Sequence, residues 1–294
     1  MKKILEIIIE FFKSLFGKKT DAKTNTNKSV STNKNSGGSG GGGTVESDKN
    51  RNVPESSERR NDLNERQNTL REFADESLMA SPSNSPVSSV KILVDNGHGN
   101  NTKGKRSPYS TCGAAPEIEF YEYKWNREIA QPIVKHLKEM GYDAELLVPE
   151  EKDISLKERV KRVNNICSEY GKNNVIVISI HSNAAGDGSK WMGGRGWSAY
   201  TSKGNTKSDI LAEYLYKAAE NYFVDKKIRR DMSDGDSDEE ANFYILKNTL
   251  CPAVLTENFF YDNIDDVKYI LSDEGKEDVI NAHIDGIREY LKNI

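Results

Sequence analysis

NVIVISI, residues 174–180, is followed at once by HSNA, residues 181–184. Five of its seven residues are β-branched, a side-chain type that loses rotamer freedom in a helix and packs well on a pleated sheet. A short, largely apolar run of this kind predicts a strand buried on both faces, ending where His181 begins. Similar runs occur at 91–95 (KILVD), 144–148, 197–201, 243–246 and 252–256. Between most of them lie helical patterns, at 121–140, 155–170 and 209–222, with a last one at 274–291. Gly141 follows the first helical pattern, as a glycine closing a helix would. Alternation of this sort predicts an α/β fold of three layers, a largely parallel twisted sheet with helices on both faces.

Composition sets the limits of that folded part. The chain has 294 residues, but residues 20–89 hold only 12 apolar residues in 70 and include the tract SGGSGGGG. Such a segment buries too little surface to offset the entropy of ordering it, so it reads as a disordered, flexible linker. The chain thus divides into three parts: 1–19, the linker 20–89, and a folded domain 90–294. In residues 1–19, Lys3, Glu6, Glu10 and Lys13 form one helical stripe opposite Ile4, Ile8, Phe11, Phe12 and Leu15. This is a short amphipathic helix for a membrane surface or for a partner protein; its glutamates and the missing small-residue cleavage site argue against a cleavable signal peptide. Residues 57–78 carry leucines at helical spacing and no visible chemistry. The folded part holds 28 Lys and Arg against 34 Asp and Glu, which argues against nucleic acid as a partner. Cys112, Cys167 and Cys251 are far apart in sequence and odd in number, with no CxxC, so neither a disulfide framework nor a zinc knuckle is expected.

In open α/β sheets ligands bind beyond the carboxyl ends of strands. Three of the most apolar runs deliver a functional side chain there: His98 after KILVD, His181 after NVIVISI, and Glu257 after PAVLT. Glu122 joins them from the first helix, since Glu122, Asn126, Ile129, Ile133 and Leu137 share its sheet-facing side. A carboxylate on a buried face needs a compensating partner, and a metal ion would serve. Two histidines and one glutamate are a zinc set that leaves a coordination position open, with Glu257 free to act as a general base.

The residues resemble the zinc-dependent N-acetylmuramoyl-L-alanine amidases called amidase 3. DNGHG (95–99), EYKWNREIA (122–130), SLKERVKRVN (155–164), ISIHSNA (178–184) and PAVLTENFFYDNIDD (252–266) are similar to that family's motifs and come in its order. The likeness runs from 90 to 292 and implies zinc on His98, Glu122 and His181, with Glu257 catalytic. It also implies a substrate, peptidoglycan, cut at the amide joining N-acetylmuramic acid to L-alanine of the stem peptide, at the cell wall or periplasm. Glu257 would take a proton from zinc-activated water and return it to the leaving amine. Asn183 is a candidate for orienting the substrate or for capping its own loop. Residues 100–120 depart from the family's usual glycine-rich version, which bears on substrate preference. The setting implied is phage lysis by an endolysin or wall remodelling by an autolysin. The competing readings are a zinc peptidase acting on the stem peptide and a non-catalytic wall-binding or virion component.

Other suggestive residues read as structural. His136 and His283 lie within helical patterns, and Cys112 reads as a loop thiol. DMSDGDSDEE (231–240) fails the EF-hand pattern, with Glu239 where glycine belongs and Ile245 where glutamate belongs, so it reads as a solvated acidic loop at the rim of the site. Arg229 and Arg230 beside it are candidates for touching the glycan or the stem-peptide carboxylates, but surface arginines usually serve no site, and they read as surface residues.

Overall fold

A computed structural model of the chain describes residues 89–108 and 118–294. The chain divides into two units, Met1–Met79 and Ala80–Ile294, and the described residues belong to the second. The expected amphipathic helix 1–19, all but the last residue of the linker 20–89, its helical stretch 57–78, and Cys112 lie outside the described residues.

One six-stranded sheet organises the domain. Its strands are β1 (Lys91–Asn96), β2 (Ala144–Leu146), β3 (Val175–Asn183), β4 (Ser198–Thr201), β5 (Glu239–Glu240) and β6 (Ala253–Phe260), in the spatial order β2-β1-β3-β6-β4-β5. Neighbours from β2 to β6 run parallel; β4 lies antiparallel to β6, and β5 parallel to β4. The sheet is therefore largely parallel, as the apolar runs imply, with a reversed edge.

Alternation along the strands sorts the core into two layers. Ile92, Val94, Ile176, Ile178, Ile180 and Val254 face one side, where they meet α1 (Glu122–Glu139), α3 (Lys207–Tyr222), α5 (Ile264–Leu271) and α6 (Asp273–Lys292). Leu93, Val175, Val177, Ala253 and Leu255 face the other, against α2 (Leu156–Tyr170) and α4 (Tyr244–Asn248). Gly141 (φ 90°) ends α1 in a left-handed turn: its N–H donates to Lys138 O at 2.9 Å, and Tyr142 N–H to Leu137 O at 2.9 Å. His283 is buried in α6, where Nδ1 donates to Val279 O (2.7 Å) and Nε2 accepts from Thr256 (2.9 Å). Burial pushes this imidazole down to about 4, so it is a neutral packing residue. His136 is half-buried in the last turn of α1.

The structure corrects several readings. Residues 243–246 form no strand: Tyr244–Asn248 is helical, and Ile245 and Leu246 pack with α2 residues in the second core layer. Four apolar residues satisfy either period, and the edge beyond β4 is taken by β5 instead. α5 has no counterpart among the expected elements, although Asn263 caps it by accepting from the Asp265 and Asp266 N–H groups. The loop 231–240 is not wholly solvated. Asp238 is buried, accepts from Thr201 Oγ1 at 2.6 Å, and is pushed up to about 7 by burial above all. Cys167 and Cys251, remote in sequence, are both free and buried and interact in the second core layer, where desolvation raises both thiols. Among the described residues no helix is long and apolar enough to cross a membrane.

Candidate active site

The carboxyl ends of β1, β3 and β6 share one edge of the sheet, and the N-terminus of α1 reaches the same edge. Glu122, the first residue of α1, is fully buried there. Its Oε1 lies 3.0 Å from His181 Nδ1 and accepts from the Ser182 N–H at 3.2 Å; its Oε2 lies 3.3 Å from His98 Nε2. Position at a helix N-terminus favours the anion. Burial alone raises this carboxyl, but the hydrogen bond with His181 and the close approach of His98 overcome that and hold it well below the usual carboxylate range.

His98 sits just past β1 with φ 63°, a left-handed conformation that costs energy for a residue with a side chain. Its neighbours hold it there. Its carbonyl accepts from Arg127 Nη2 at 3.1 Å and Arg159 Nη2 at 3.4 Å, while Asn126 Nδ2 donates to Gly97 O at 3.1 Å. Gly97 is required for a different reason: a Cβ there would stand 2.2–2.6 Å from three atoms of the His181 ring. Gly97→Ala is expected to displace that ring and weaken metal binding about tenfold or more, measured by competition with a chromogenic chelator.

Beneath the loop lies a buried charge network. Arg159 pairs with Asp95 and, at 2.8 Å, with Asp153; Ser179 Oγ donates to Asp95 Oδ2 and Thr102 Oγ1 to Asp153 Oδ2, both at 2.6 Å. Removing Arg159 would leave the buried Asp95 carboxylate uncompensated, while Asp153 is half-buried. Arg159→Met is expected to cost about 3 kcal/mol, read as a fall in melting temperature of roughly 6–12 °C.

The ligand atoms of His98, Glu122 and His181 all lie within 4.8 Å of one another, so these three could hold a metal ion. Glu122 Oε2 is buried without a hydrogen-bond partner among the described residues, the kind of orphan that a cation satisfies. The nitrogen and oxygen donors suit zinc and are too few to close a tetrahedral shell. Glu257 lies on β6 in register with His181 of β3 and lines the same cleft of about 590 Å³ as His98 and His181. Burial, then the nearby Glu122 charge, pushes its carboxyl well above the ordinary range. A buried carboxyl whose affinity for protons is raised is the kind of group that can serve as a general base.

Of the expected site residues, His98, Glu122, His181 and Glu257 come together. Asn183 does not join them: its Oδ1 accepts from the Ala184 N–H at 2.8 Å, which is a loop cap, and it lines a second cavity. Glu119 is exposed ahead of α1. Sequence reasoning missed Asp95, Arg159 and Asp153; the one available signal was Arg159 on the buried stripe of α2 with Val160, Val163 and Cys167. Arg230 pairs with Glu220 on α3 and is a surface arginine, whereas Arg229 is half-buried.

A family model described as N-acetylmuramoyl-L-alanine amidase matches residues 92–289. A second, described as Selenoprotein SelK_SelG, matches residues 1–62, a fifth of the chain, outside the described residues. The chain is similar to the endolysin of Bacillus phage SPP1, 26% identical over 212 residues that cover 68% of this chain and 65% of that protein. It is also 26% identical to the N-acetylmuramoyl-L-alanine amidase CwlM of Bacillus licheniformis, over 67% of each. The chain thus spans about two thirds of the length of these relatives. Among solved structures, the N-acetylmuramoyl-L-alanine amidase of Clostridium difficile 630 shares the fold, with a TM-score of 0.55 and 24% identity over 70% of this chain and 98% of that one.

Proposed function

Because the chain belongs to the N-acetylmuramoyl-L-alanine amidase family, we propose that it hydrolyses the amide between the lactyl group of N-acetylmuramic acid and L-alanine in peptidoglycan. One observation carries the proposal: His98, Glu122 and His181 converge within 4.8 Å at the sheet edge, with Glu257 in register beside them.

In this reading His98, Glu122 and His181 hold zinc. When bound, the metal supplies a Lewis acid that polarises a carbonyl and acidifies a water molecule. The rest is done by the chain. Glu257 accepts the water's proton at its carboxylate, and the raised affinity for protons that its burial provides keeps that proton within reach of the departing amine. Donating it makes L-alanine a neutral amine, a far better leaving group than its anion. Glu122, held anionic by both histidines, offsets the charge of the metal, and Gly97 leaves room for the His181 ring. The two arginines on the His98 carbonyl keep the loop from relaxing out of its left-handed conformation.

The proposal includes the boundaries 1–19, 20–89 and 90–294 and work at the bacterial cell wall, in phage lysis or wall remodelling; relatives named endolysin and cell wall amidase support both settings. It also includes contact of residues 1–19 with an anionic membrane surface, which a full-length chain failing to float with anionic liposomes would remove. The test of the activity is mass spectrometry of digested sacculi. Free stem peptides beginning at L-alanine support the amidase. Shortened stems still joined to muramic acid indicate a peptidase, and binding without release indicates a wall-binding component.

A further inference from the structure

A second cavity, of about 460 Å³, opens beside the active site and is lined by Arg195, Lys227 and Arg229 together with Asn183, Tyr200 and Phe260. No Asp or Glu lines it. We infer that this cavity binds a free carboxylate on the peptide side of the scissile amide, with Arg229 as the main contact. The inference rests on the amidase reading and adds to it the chemical class of the peptide it prefers.

Position supports the assignment. Asn183 stands two residues beyond His181 on β3, which at about 3.3 Å per residue is roughly 7 Å along the strand. An extended peptide leaving the scissile bond covers that distance in about two residues. The second residue of the peptide therefore reaches the cavity, while L-alanine remains at the site of cleavage.

A bulge shapes the wall. His181 pairs with Glu257, but Asn183 pairs with Phe260, so β6 carries one extra residue and Phe259 takes φ 65°. An insertion of this kind re-aims the side chains beyond it, and Phe260 ends up beside Asn183 as part of the lining. Gly194 packs tightly against Phe260, because a Cβ on it would stand 2.7 Å from Ala185 Cβ and 3.0 Å from the Phe260 ring.

Arg229 is prepared for an anion rather than spent on one. Its backbone N–H donates to Trp197 O at 2.8 Å, fixing it beside β4. Its guanidinium stacks over Phe260 at 5.3 Å and uses Nη2 on Glu239 Oε1 at 3.1 Å. A guanidinium has five N–H donors in a planar fork, so this single ion pair leaves donors for a carboxylate. Arg195 and Lys227 are both exposed at the rim, and Arg195 lies close enough to Asp266 to feel its charge. Three cations line the cavity against two acidic neighbours outside its lining, Glu239 and Asp266, which leaves a surplus of positive charge suited to an acidic peptide.

The test uses the zinc-loaded full-length chain and two synthetic N-acetylmuramoyl-L-alanyl dipeptides whose second residue bears either a free carboxylate or the matching carboxamide. The carboxylate substrate is expected to show a KM about tenfold lower or better, with similar kcat, as befits a charge-assisted contact made equally in ground and transition states. In Arg229→Met, which keeps an apolar stem over Phe260, the ratio of kcat/KM between the two substrates is expected to fall to about one. Arg229→Lys should restore part of it. Lys227→Gln and Arg195→Gln, at exposed positions, should lower the ratio in smaller steps. Equal KM values for the two substrates in the wild type, or an undiminished preference in Arg229→Met, overturn the inference. Cleavage of neither substrate overturns the amidase reading and this inference with it, a result distinct from cleavage without preference.

Discussion

Glu257→Gln is expected to retain its metal and lose turnover by about 10³-fold, the middle of the range for removing a general acid-base group. The carboxamide is nearly isosteric and the backbone of β6 is paired on both sides, so the strand should stay in place. What disappears is the only function the substitution touches, acceptance and return of a proton beside the metal site. Metal content by atomic emission and initial rates on muropeptides measure the two halves separately. Loss of metal in this variant would make Glu257 a ligand and move the base elsewhere.

The second large effect is the opposite in kind. Glu122→Gln keeps the shape of the side chain but removes the anion that faces both His98 and His181. A buried neutral amide cannot offset a divalent charge, and zinc affinity is expected to fall at least about 100-fold, the scale for disrupting a ligand or its support. Activity should fall with it and return in part on adding excess zinc. Added zinc should not help Glu257→Gln. This contrast separates a ligand from a base without relying on the size of either defect.

The legible part of the site was the part that local pattern controls. His98, His181 and Glu257 each follow an apolar run whose end marks the sheet edge, and Glu122 shares a helical face with Asn126, Ile129 and Ile133. What escaped depends on contacts between remote segments. Asp95 and Arg159 are 64 residues apart, and only the packing of α2 on the sheet reveals them as a pair. The helix at 244–248 escaped because four apolar residues carry no period, and β5 because two residues of a strand carry no pattern. Arg229 read as a surface residue because nothing near it in sequence announces that Trp197 and Phe260 will gather around it. The bulge that brings Phe260 there belongs to a pairing register, which neither strand displays alone.

The most direct test of the central claim is reconstitution. The full-length chain is stripped with a chelator, zinc is returned in measured increments, and release of stem peptides from sacculi is followed beside a His181→Ala variant. Activity should rise linearly to a plateau at about one zinc per chain, with the variant neither retaining zinc nor recovering. Full amide cleavage by the stripped protein, or recovery by the variant at the same zinc level, would contradict that claim.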